Sequence, residues 1–357
     1  MAEKALVAMS GGVDSSVAAL LTKQAGYECT GATMKLFYNE DLGIEGESRC
    51  CSLDDVEDAR SVANRLSIPY YVFNFCDSFR SEVIEHFISE YKKGRTPNPC
   101  IDCNRFLKFE KLFLRARELE IGHIVTGHYA VISFDGSLGR WCLSKGRDRS
   151  KDQSYVLWQL TQEQLAHTLL PLGSMTKAEV RALAEENGFI NAGKRESQDI
   201  CFVPDGDYAS FIEKYTGKPN EPGAFVDSAG RPVGHHRGFV RYTIGQRRGL
   251  GLSLREPLYV TAKRASDNTV VLGPERELYS KRLTASSINL ITAEKLTAPV
   301  RLKARVRYKQ EEQWATVEQT DEDRLLVTFD EPQRAVTPGQ SVVLYDGDQV
   351  AGGGIID

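Results

Sequence analysis

The sequence predicts an α/β fold in which a doubly wound parallel sheet is followed by two small β-rich domains. Three observations support this prediction. Short apolar runs alternate with helical patterns through the first 130 residues, as in parallel sheets whose strands are joined by crossover helices. After Thr216, glycine and proline become dense and short alternating runs replace the helical patterns. The length of 357 residues suits two or three domains.

The elements of the first domain follow from apolar spacing and from capping residues. The expected strands are Ala5–Met9, Cys29–Met34, Tyr70–Phe75 and His123–Thr126. The expected helices are Ser15–Ala25, Asp54–Leu66, Phe79–Lys92, Phe106–Glu118, Thr161–Leu169, Thr176–Asn187 and Tyr208–Tyr215, with a short β excursion over residues 129–160. Thr176 and Glu179 have the spacing of a capping box. Because doubly wound sheets bind ligands at the carboxyl ends of their strands, the loop after the first strand is expected at a binding edge.

The later part of the chain predicts two further domains. We place the domain boundaries at residues 1–215, 216–280 and 281–357. Short strands are expected over Leu258–Val260 and Thr269–Leu272 in the second domain. Those expected in the third domain are Val300–Tyr308, Trp314–Val317, Leu325–Phe329 and Ser341–Leu344. Their near-regular spacing indicates a small barrel.

Charge is distributed unevenly along the chain. The formal net charge of −4 excludes a molecule that is basic all over, so any nucleic-acid surface must be local. Residues 231–250 hold five arginines and no acid, and residues 281–310 hold eight Lys or Arg and one acid. These stretches would suit a phosphodiester backbone, with Phe239, Tyr242 and Tyr308 placed to stack on bases. For either stretch alone, ordinary solvated strand faces explain the charge equally well.

The compartment follows from what the sequence lacks. It contains no apolar run of the length that spans a membrane, and its N-terminus resembles neither a signal peptide nor a transit sequence. We therefore predict a cytoplasmic protein without a membrane partner. Its eight cysteines are then expected as thiols and not as a structural disulfide framework. The pair His235-His236 lacks the helical i, i+4 spacing of metal ligands and is expected at the surface or facing RNA.

The segment from Ser10 to Ser16, Ser-Gly-Gly-Val-Asp-Ser-Ser, lies between the first strand and the first helix. Its two glycines allow close approach to a ligand, and the helix N-terminus favours an anion. The serine hydroxyls add donors, and Asp14 could hold a metal ion or cap the helix. The segment predicts a phosphate or pyrophosphate site, and the alternative is a glycine-rich turn. It is neither a Walker A motif nor a dinucleotide fingerprint.

The segment Thr96–Asn104 brings two cysteines to the start of a helix. Pro97 and Pro99 favour an extended, stiff loop. Cys100 and Cys103 then follow at a helix N-terminus, which lowers the pKa of a thiol and favours the reactive thiolate. The spacing fits a redox pair, half a zinc site or two ligands of an iron–sulfur cluster. The sequence has no second pair of this kind, which argues against zinc.

Cys201, in Gln-Asp-Ile-Cys-Phe, completes a pattern with the two segments above. Together they resemble the PP-loop ATP pyrophosphatases and, among these, the tRNA-specific 2-thiouridylase family. The match spans the whole chain. Further matching segments are Cys50–Arg60, Thr126–Ala130, Lys151–Tyr155 and Thr243–Gly251.

The resemblance implies a tRNA-uridine 2-sulfurtransferase that uses ATP and Mg²⁺. ATP would adenylate O2 of the wobble uridine in the anticodon, and a cysteine persulfide would supply sulfur. It further implies two partners, tRNA and a sulfur donor such as a cysteine desulfurase or a sulfur-relay protein. Another PP-loop tRNA thiolase, such as one that makes 2-thiocytidine, is the alternative.

The resemblance also assigns roles to individual residues. Cys103 matches the nucleophile, and Cys201 matches the cysteine that carries the persulfide. The ATP-binding positions would be Ala8, Met9, Ser10, Gly11, Gly12, Val13, Asp14, Ser15, Met34 and Gly127. Asn98, Pro99 and Cys100 would face the target base. The tRNA contacts would be Lys151, Asp152, Gln153, Arg307 and Tyr308.

One position departs from the family pattern. Many members have Asp where this chain has Cys100, so three cysteines are available instead of two. Cys100, Cys103 and Cys201 could hold three irons of a [4Fe–4S] cluster and leave the fourth open to sulfide. The alternative is a persulfide on Cys201 that ends as a disulfide with Cys103. The sequence leaves both open, and the family description favours the persulfide.

The remaining cysteines and one histidine carry weaker expectations. Cys50 and Cys51 match a family segment but have no assigned role. Cys29, Cys76 and Cys142 lie in strand-like contexts and are expected in the core. His128 could reach the nucleotide or serve the turn in which it lies.

Overall fold

The computed structural model describes residues 2–38, 53–194, 200–203, 205–253 and 256–357. Cys50 and Cys51 lie outside the described residues, as do Gln198 and Asp199 of the Cys201 segment. Among the helices that the structure describes, none has both the length and the apolar content needed to cross a bilayer.

The first domain is built on a five-stranded parallel sheet, which confirms the predicted fold class. Its strands, in spatial order β3-β2-β1-β4-β7, are Tyr70–Asn74, Glu28–Lys35, Lys4–Ala8, His123–Val125 and Thr168–Leu169. Alternate residues of β1 point to opposite cores. Leu6 belongs to one hydrophobic cluster, whereas Ala5 and Val7 belong to another. Helices therefore cover both faces, as a doubly wound sheet requires.

Helices α1, α2 and α6 span Val13–Gln24, Leu53–Arg65 and Lys177–Glu186. They supply the cluster on one face of the sheet. Two shorter helices, α5 and α7, span Gln162–Ala166 and Tyr208–Thr216. The capping box predicted at Thr176 is present, with hydrogen bonds in both directions between Thr176 and Glu179.

Two long helices on the other face contain π-helical turns. Helix α3 consists of Cys76–Phe79, the π segment Arg80–Glu85 and His86–Lys92. Helix α4 consists of Pro99–Asp102, the π segment Cys103–Lys111 and Leu112–Glu118. The prediction that this last helix begins at Phe106 is wrong, because Pro99 occupies the first helical position, where its missing N–H costs nothing. Both thiols of the Cys-x-x-Cys motif therefore lie within the helix.

The second domain contains a four-stranded sheet in the order β10-β11-β8-β9. The strands are Tyr259–Arg264, Thr269–Gly273, Gly223–Asp227 and Pro232–His236. Tyr242 is buried in its core against Phe225, so the prediction that Tyr242 stacks on bases is wrong. His236 is also buried, with Nε2 3.0 Å from the carbonyl of Asn268, which contradicts its predicted surface position.

The third domain closes into a barrel. Strands β12 to β17 span Tyr279–Leu290, Val300–Arg305, Gln313–Asp321, Arg324–Arg334, Ser341–Asp346 and Gln349–Ile356. They pair in the order β12-β15-β14-β13-β16-β17, and β12 pairs with β17 to close the ring. Apolar side chains from alternate positions, such as Leu302 and Val327, fill the interior.

A hairpin from the first domain extends this barrel. Its strands β5 and β6 span Ala130–Asp135 and Arg140–Lys145. The hairpin confirms the predicted β excursion, but β6 pairs with β17, with Val350 opposite Leu143. Side chains of the first domain are also anchored on the barrel: Tyr155 donates to the carbonyl of Ser341 at 2.8 Å, and Trp158 donates to the hydroxyl of Ser341 at 3.0 Å. The first and third domains are therefore joined by a continuous sheet.

Lys263 lies where the second domain contacts the first. Its ammonium is 3.5 Å from the carbonyl oxygen of Arg95 and 5.4 Å from the ring centre of Tyr91. Burial lowers the pKa of Lys263 to about 8. No carboxylate of the described residues forms an ion pair with Lys263, and a buried cation without such a partner destabilises the folded state.

We expect Lys263→Met to raise the thermal unfolding midpoint at pH 7 by roughly 3 °C, from a gain of about 1–2 kcal/mol. The folded-state pKa is lower than that of the unfolded chain, so the destabilisation is complete below pH 8 and disappears as pH rises towards that of a free lysine. The gain in midpoint should therefore shrink between pH 8 and pH 10. Calorimetry of this variant beside the exposed Lys309→Met measures it. Equal midpoints for wild type and Lys263→Met at pH 7 would contradict it.

Candidate active site

The loop between β1 and α1 folds back on itself. The backbone N–H of Ser10 donates to the Ser15 hydroxyl at 3.1 Å, and that hydroxyl donates to the carbonyl of Gly12 at 3.0 Å. Gly12 caps the helix with extended backbone and no side-chain cap. The first N–H groups of α1 thus remain available to an anion. We refer to Ser10–Ser15 as the phosphate loop.

Two glycines in and near the phosphate loop have no room for a side chain. Gly11 has a φ of +74°, and a Cβ there would lie 2.3 Å from the carbonyl oxygen of Asp55. A Cβ on Gly127 would lie 2.8 Å from the backbone N of Ser15. Gly127 follows β4, so its close approach brings the ends of β1 and β4 together at one sheet edge. The predicted ATP residues Gly11, Asp14, Ser15 and Gly127 are therefore neighbours.

Asp14 is held by a lysine and a tyrosine that the sequence did not single out. The ammonium of Lys177 lies 2.7 and 2.8 Å from the two carboxylate oxygens of Asp14, and the hydroxyl of Tyr129 donates to one of them at 2.7 Å. The side chain of Lys177 is 11% exposed and that of Asp14 is 30% exposed. The pair therefore places a buried positive charge beside the phosphate loop. Lys177 is the second residue of the capping-box motif. That motif predicts the start of a helix and says nothing about a charge at the site.

A second set of contacts braces the loop from behind. The side-chain amide of Asn191 donates to the carbonyl of Gly11 and to the hydroxyl of Ser16, each at 2.9 Å. The ammonium of Lys194 binds Asp55 and Asp58, each at 2.6 Å. Asn191 and Lys194 lie in the segment that leads to Cys201. Asn191 and Lys194 thus hold the phosphate loop and helix α2 together.

The Cys-x-x-Cys motif lies in the first turns of α4. The side chain of Asn98 caps this helix by accepting from the N–H of Cys100 at 3.1 Å, and Pro99 follows. Cys100 is exposed, and Cys103, the first residue of the π segment, is half-buried. Such segments are frequent at functional sites, because the wider turn redirects side chains. Cys201 is also half-buried and packs against the same hydrophobic cluster as Cys103.

His128 connects α4 with the phosphate loop. It follows Gly127, and its ring centre lies 6.0 Å from that of Phe109 in the π segment. Burial, followed by the charge of Lys108, lowers the pKa of His128 well below its usual value. The ring is therefore neutral, and its Nδ1 lies 2.7 Å from the hydroxyl of Thr126. His128 is thus placed as a structural contact between the two parts of the site.

His86 and Asp102 form a further pair in this region. Nδ1 of His86 lies 3.0 Å from the carboxylate of Asp102, and this hydrogen bond raises the pKa of His86. Asp102 is buried and directly precedes Cys103. The pair ties the head of α4 to α3.

The three cysteines of the site do not form a metal centre. Across the described ranges, no three His, Cys, Asp or Glu side chains are grouped so that they could hold a metal ion. Cys100, Cys103 and Cys201 all lie within those ranges. The arrangement thus does not fit an iron–sulfur cluster, and we derive no step from one.

Of the residues predicted to contact tRNA, Asp152 and Arg307 form hydrogen bonds within the protein, whereas Lys151 and Gln153 are partly exposed. Asp152 is buried, and its carboxylate accepts from the N–H groups of Gly146 and Ser154 at 3.1 and 3.2 Å, so it shapes its own loop. The guanidinium of Arg307 donates to three acceptors, the carbonyls of Ile244 and Ala335 and the hydroxyl of Thr337. Lys151 and Gln153 flank Asp152 in the same loop and are half-buried.

Tyr308 stands at the edge of the site. It is 37% exposed, and its hydroxyl donates to the carbonyl of Asp152 at 3.1 Å. Burial and, to a smaller extent, the nearby Asp152 and Cys100 raise the pKa of Tyr308. The barrel therefore reaches the thiol end of α4.

Comparison with known proteins gives consistent results along the whole chain. Residues 3–205 match the family model described as the tRNA methyl transferase HUP domain. Residues 209–274 match the tRNA methyl transferase PRC-barrel domain, and residues 280–356 match the aminomethyltransferase beta-barrel domain.

Curated relatives are similar over their full length. A tRNA-specific 2-thiouridylase MnmA of Acetivibrio thermocellus is 54% identical over 355 residues, which cover 99% of each chain. A protein of the same name from Clostridioides difficile is 49% identical over 357 residues, which cover 100% of this chain and 99% of the relative. A third, from Caldicellulosiruptor saccharolyticus, is 50% identical over 359 residues and covers 100% and 99%.

Proposed function

This chain belongs to the tRNA-specific 2-thiouridylase family, and from that premise we propose that it is a tRNA-uridine 2-sulfurtransferase that thiolates the wobble uridine at the expense of ATP. The observation that carries the proposal is a continuous set of contacts. It runs from the phosphate loop through Gly127 and His128 to the π segment that begins at Cys103. These contacts support the proposal, because they connect the predicted anion site with the helix that carries the predicted nucleophile, Cys103.

The phosphate loop fits the triphosphate of ATP. The N-terminus of α1 offers N–H donors, and the crowding at Gly11 and Gly127 keeps side chains out of the loop. Lys177 would meet a phosphate oxygen with a buried positive charge. Asp14 keeps part of its carboxylate exposed and is the residue that would face the Mg²⁺ accompanying ATP. Met34, buried on β2 beside β1, would line the nucleotide.

Adenylation prepares the base for substitution. The O2 atom of uridine attacks the α-phosphorus, and pyrophosphate leaves with the electron pair of the broken bond. The base then carries AMP as a leaving group at C2, where an oxygen alone would leave poorly. Asn98, Pro99 and Cys100 form the head of α4, where Pro99 is buried and Cys100 is exposed, and this head would face the base during this step.

Sulfur transfer then uses two thiols. The terminal sulfur of a persulfide on Cys201 attacks C2, and AMP departs with O2. The Cys103 thiolate attacks the Cys201 sulfur, and the electron pair of the broken S–S bond stays on the sulfur bound to C2. The products are 2-thiouridine and a Cys103–Cys201 disulfide. A persulfide donor must load Cys201, and a thiol reductant must reopen the disulfide before the next turnover.

The test is identification of the modified nucleoside. The protein is incubated anaerobically with unmodified tRNA, ATP, Mg²⁺ and a persulfide donor, and the digested tRNA is analysed by mass spectrometry. We expect 2-thiouridine, with one AMP and one pyrophosphate released per thiolated base. Detection of 2-thiocytidine instead would assign a different PP-loop activity, and binding of tRNA without AMP release would exclude an enzyme of this class.

We expect Cys100→Asp to keep thiolation within about threefold of wild type when a persulfide donor is supplied. In the proposed reaction the persulfide is carried by Cys201 and released by Cys103, so Cys100 supplies no sulfur ligand or nucleophile. The exposed position of Cys100 also tolerates a carboxylate. Rates with the persulfide donor and with inorganic sulfide are compared, alongside Cys100→Ser as the matched neutral variant. If both variants lost activity, and if the wild type bound iron that the variants did not bind, the persulfide route would be overturned.

A further inference from the structure

The outer surface of strand β13 carries a row of cations that the site described above does not use. Leu302 and Ala304 point into the barrel, so the intervening residues Arg301, Lys303 and Arg305 point outward. Successive outward residues are about 6.6 Å apart along a strand. Because the strand belongs to a closed barrel, these charges are held in a fixed row.

Trp314 lies on the same surface. It stands opposite Lys303 in the pairing of β13 with β14 and is 51% exposed. The ammonium of Lys303 is 5.5 Å from its ring centre, and the guanidinium carbon of Arg301 is 5.7 Å away. Two cations within 6 Å of the ring centre orient the indole before any ligand arrives. We call Arg301, Lys303 and Trp314 the outer barrel face.

The outer barrel face is continuous with the candidate active site. Arg305, the next residue on this side of β13, is largely buried and paired with Glu312 at 2.9 Å. It also donates to the carbonyl of Tyr308 at 3.5 Å. The hydroxyl of Tyr308 in turn reaches the carbonyl of Asp152, and Cys100 is close enough to affect its pKa. A ligand that enters the site beside Cys100 can therefore pass Tyr308 and reach Lys303 and Arg301, which are about 6.6 Å apart along β13.

We propose that the outer barrel face binds a single-stranded segment of the RNA substrate next to the target uridine, with Trp314 stacking on a base. This inference rests on the proposed function for the identity of the RNA. A flat aromatic ring beside fixed cations is the combination by which proteins hold unpaired nucleotides. Lys303 meets the backbone phosphate on one side of the stacked base.

Arg301 is placed to bind a phosphate in place of its present partner, Asp330. It forms two hydrogen bonds of 2.7 Å with Asp330, and both side chains are about half exposed. Ion pairs of this exposure contribute little stability, so a phosphate can replace the carboxylate at small cost. Asp330 thereby keeps the guanidinium fork extended beside Trp314 until RNA arrives.

The experiment compares Trp314→Ala, Trp314→Phe and Tyr279→Ala, the last being an equally exposed tyrosine on the same barrel. The dissociation constant for unmodified tRNA is measured by fluorescence anisotropy, and the single-turnover thiolation rate is measured at saturating tRNA. We expect Trp314→Ala to weaken binding about tenfold and Trp314→Phe about threefold or less, with Tyr279→Ala unchanged. All three should keep the saturated rate within about twofold, because Trp314 does not reach the reacting atoms.

Salt dependence separates the charge contribution from stacking. We expect Lys303→Ala to reduce the slope of log K against log salt by about 1, and Trp314→Ala to leave the slope unchanged. An isolated anticodon stem-loop used as the probe should show the same tenfold loss with Trp314→Ala as full-length tRNA.

The outcomes distinguish this inference from the proposed function. Wild-type affinity of Trp314→Ala for tRNA would overturn the inference and leave 2-thiolation standing. Unchanged tRNA affinity with slower sulfur transfer from a donor protein would instead assign the outer barrel face to protein docking. If wild type made no 2-thiouridine but Trp314→Ala still lost RNA affinity, the RNA surface would stand and the proposed reaction would fail.

Discussion

Replacing Cys201 with serine should abolish 2-thiouridine formation while tRNA-dependent pyrophosphate release continues. Adenylation needs the phosphate loop and the base, and neither depends on a sulfur atom at position 201. Sulfur transfer needs a thiol that can carry a persulfide, and a hydroxyl cannot. The two half-reactions are measured separately, pyrophosphate by a coupled assay and 2-thiouridine by mass spectrometry.

Replacing Cys103 with serine should stop the reaction one step later. The persulfide on Cys201 can still attack C2, but nothing breaks the bond between Cys201 and the transferred sulfur. A covalent enzyme–tRNA adduct should therefore accumulate on a denaturing gel and disappear when dithiothreitol is added. The double variant should form no adduct.

Cys142→Ala is the matched control for both cysteine variants. Cys142 is fully buried in β6, away from α4, so its loss should affect stability alone. Full thiolation by Cys103→Ser without added reductant would remove Cys103 from the mechanism. An adduct in Cys201→Ser would show that the persulfide is carried elsewhere.

Replacing Lys177 with methionine should lower kcat/KM for ATP by about 100-fold or more, equivalent to roughly 3 kcal/mol of transition-state stabilisation. The ammonium of Lys177 contacts both oxygens of the Asp14 carboxylate and is almost fully buried. Without it, Asp14 would repel the incoming triphosphate in a region of low dielectric constant. Pyrophosphate release in the presence of tRNA measures the effect.

The neighbouring Arg181→Met serves as the control for Lys177→Met. Arg181 lies on the same helix α6 but is exposed, so its loss should change kcat/KM by less than about twofold. Asp14→Asn combined with Lys177→Met should regain thermal stability relative to Lys177→Met alone, because no uncompensated carboxylate remains. A Lys177→Met enzyme with the wild-type rate at low ATP would rule out the electrostatic role of Lys177.

The features predicted well from the sequence are those fixed by short-range patterns. The apolar runs of β1 to β4 lie within two residues of their predicted limits. Strands β1 and β2 are largely buried, and the edge strand β3 is still marked by its aromatic and β-branched residues, although most of it is exposed. The capping box at Thr176 depends on two residues three positions apart, and the sequence contains both. The phosphate loop is equally local, because its two glycines and its serines close a turn among themselves.

The features missed depend on distant parts of the chain. Strand β17 was not predicted because Gly352, Gly353 and Gly354 interrupt its pattern. A Cβ on Gly353 would lie 2.9 Å from the ring of Trp158, so these glycines mark contact with the catalytic domain and not a loop. Tyr242 was predicted to be accessible to RNA because it lies among arginines in the sequence, but it is buried in the core of the second domain.

Two candidate functional residues, Lys177 and Trp314, were also not predicted, because their roles depend on residues distant in the chain. Lys177 is a residue of an ordinary amphipathic helix until the fold brings it to Asp14, 163 positions earlier in the chain. The position of Trp314 beside the basic residues follows from the pairing of β13 with β14, which places Lys303 opposite it. The charge count over residues 281–310 stopped short of Trp314, so its association with the basic row required strand register.

The pairing of β6 with β17 has a consequence for synthesis on the ribosome. Leu143 of β6 pairs with Val350, and the difference of 350 − 143 gives 207 residues that must still be translated after Leu143. At roughly 5–20 residues per second, this takes about 10–40 s. Throughout that interval the nascent catalytic domain presents an unpaired strand edge, which other chains and chaperones can bind. Strand β17 covers that edge, so a chain that terminates before Val350 leaves it exposed for good.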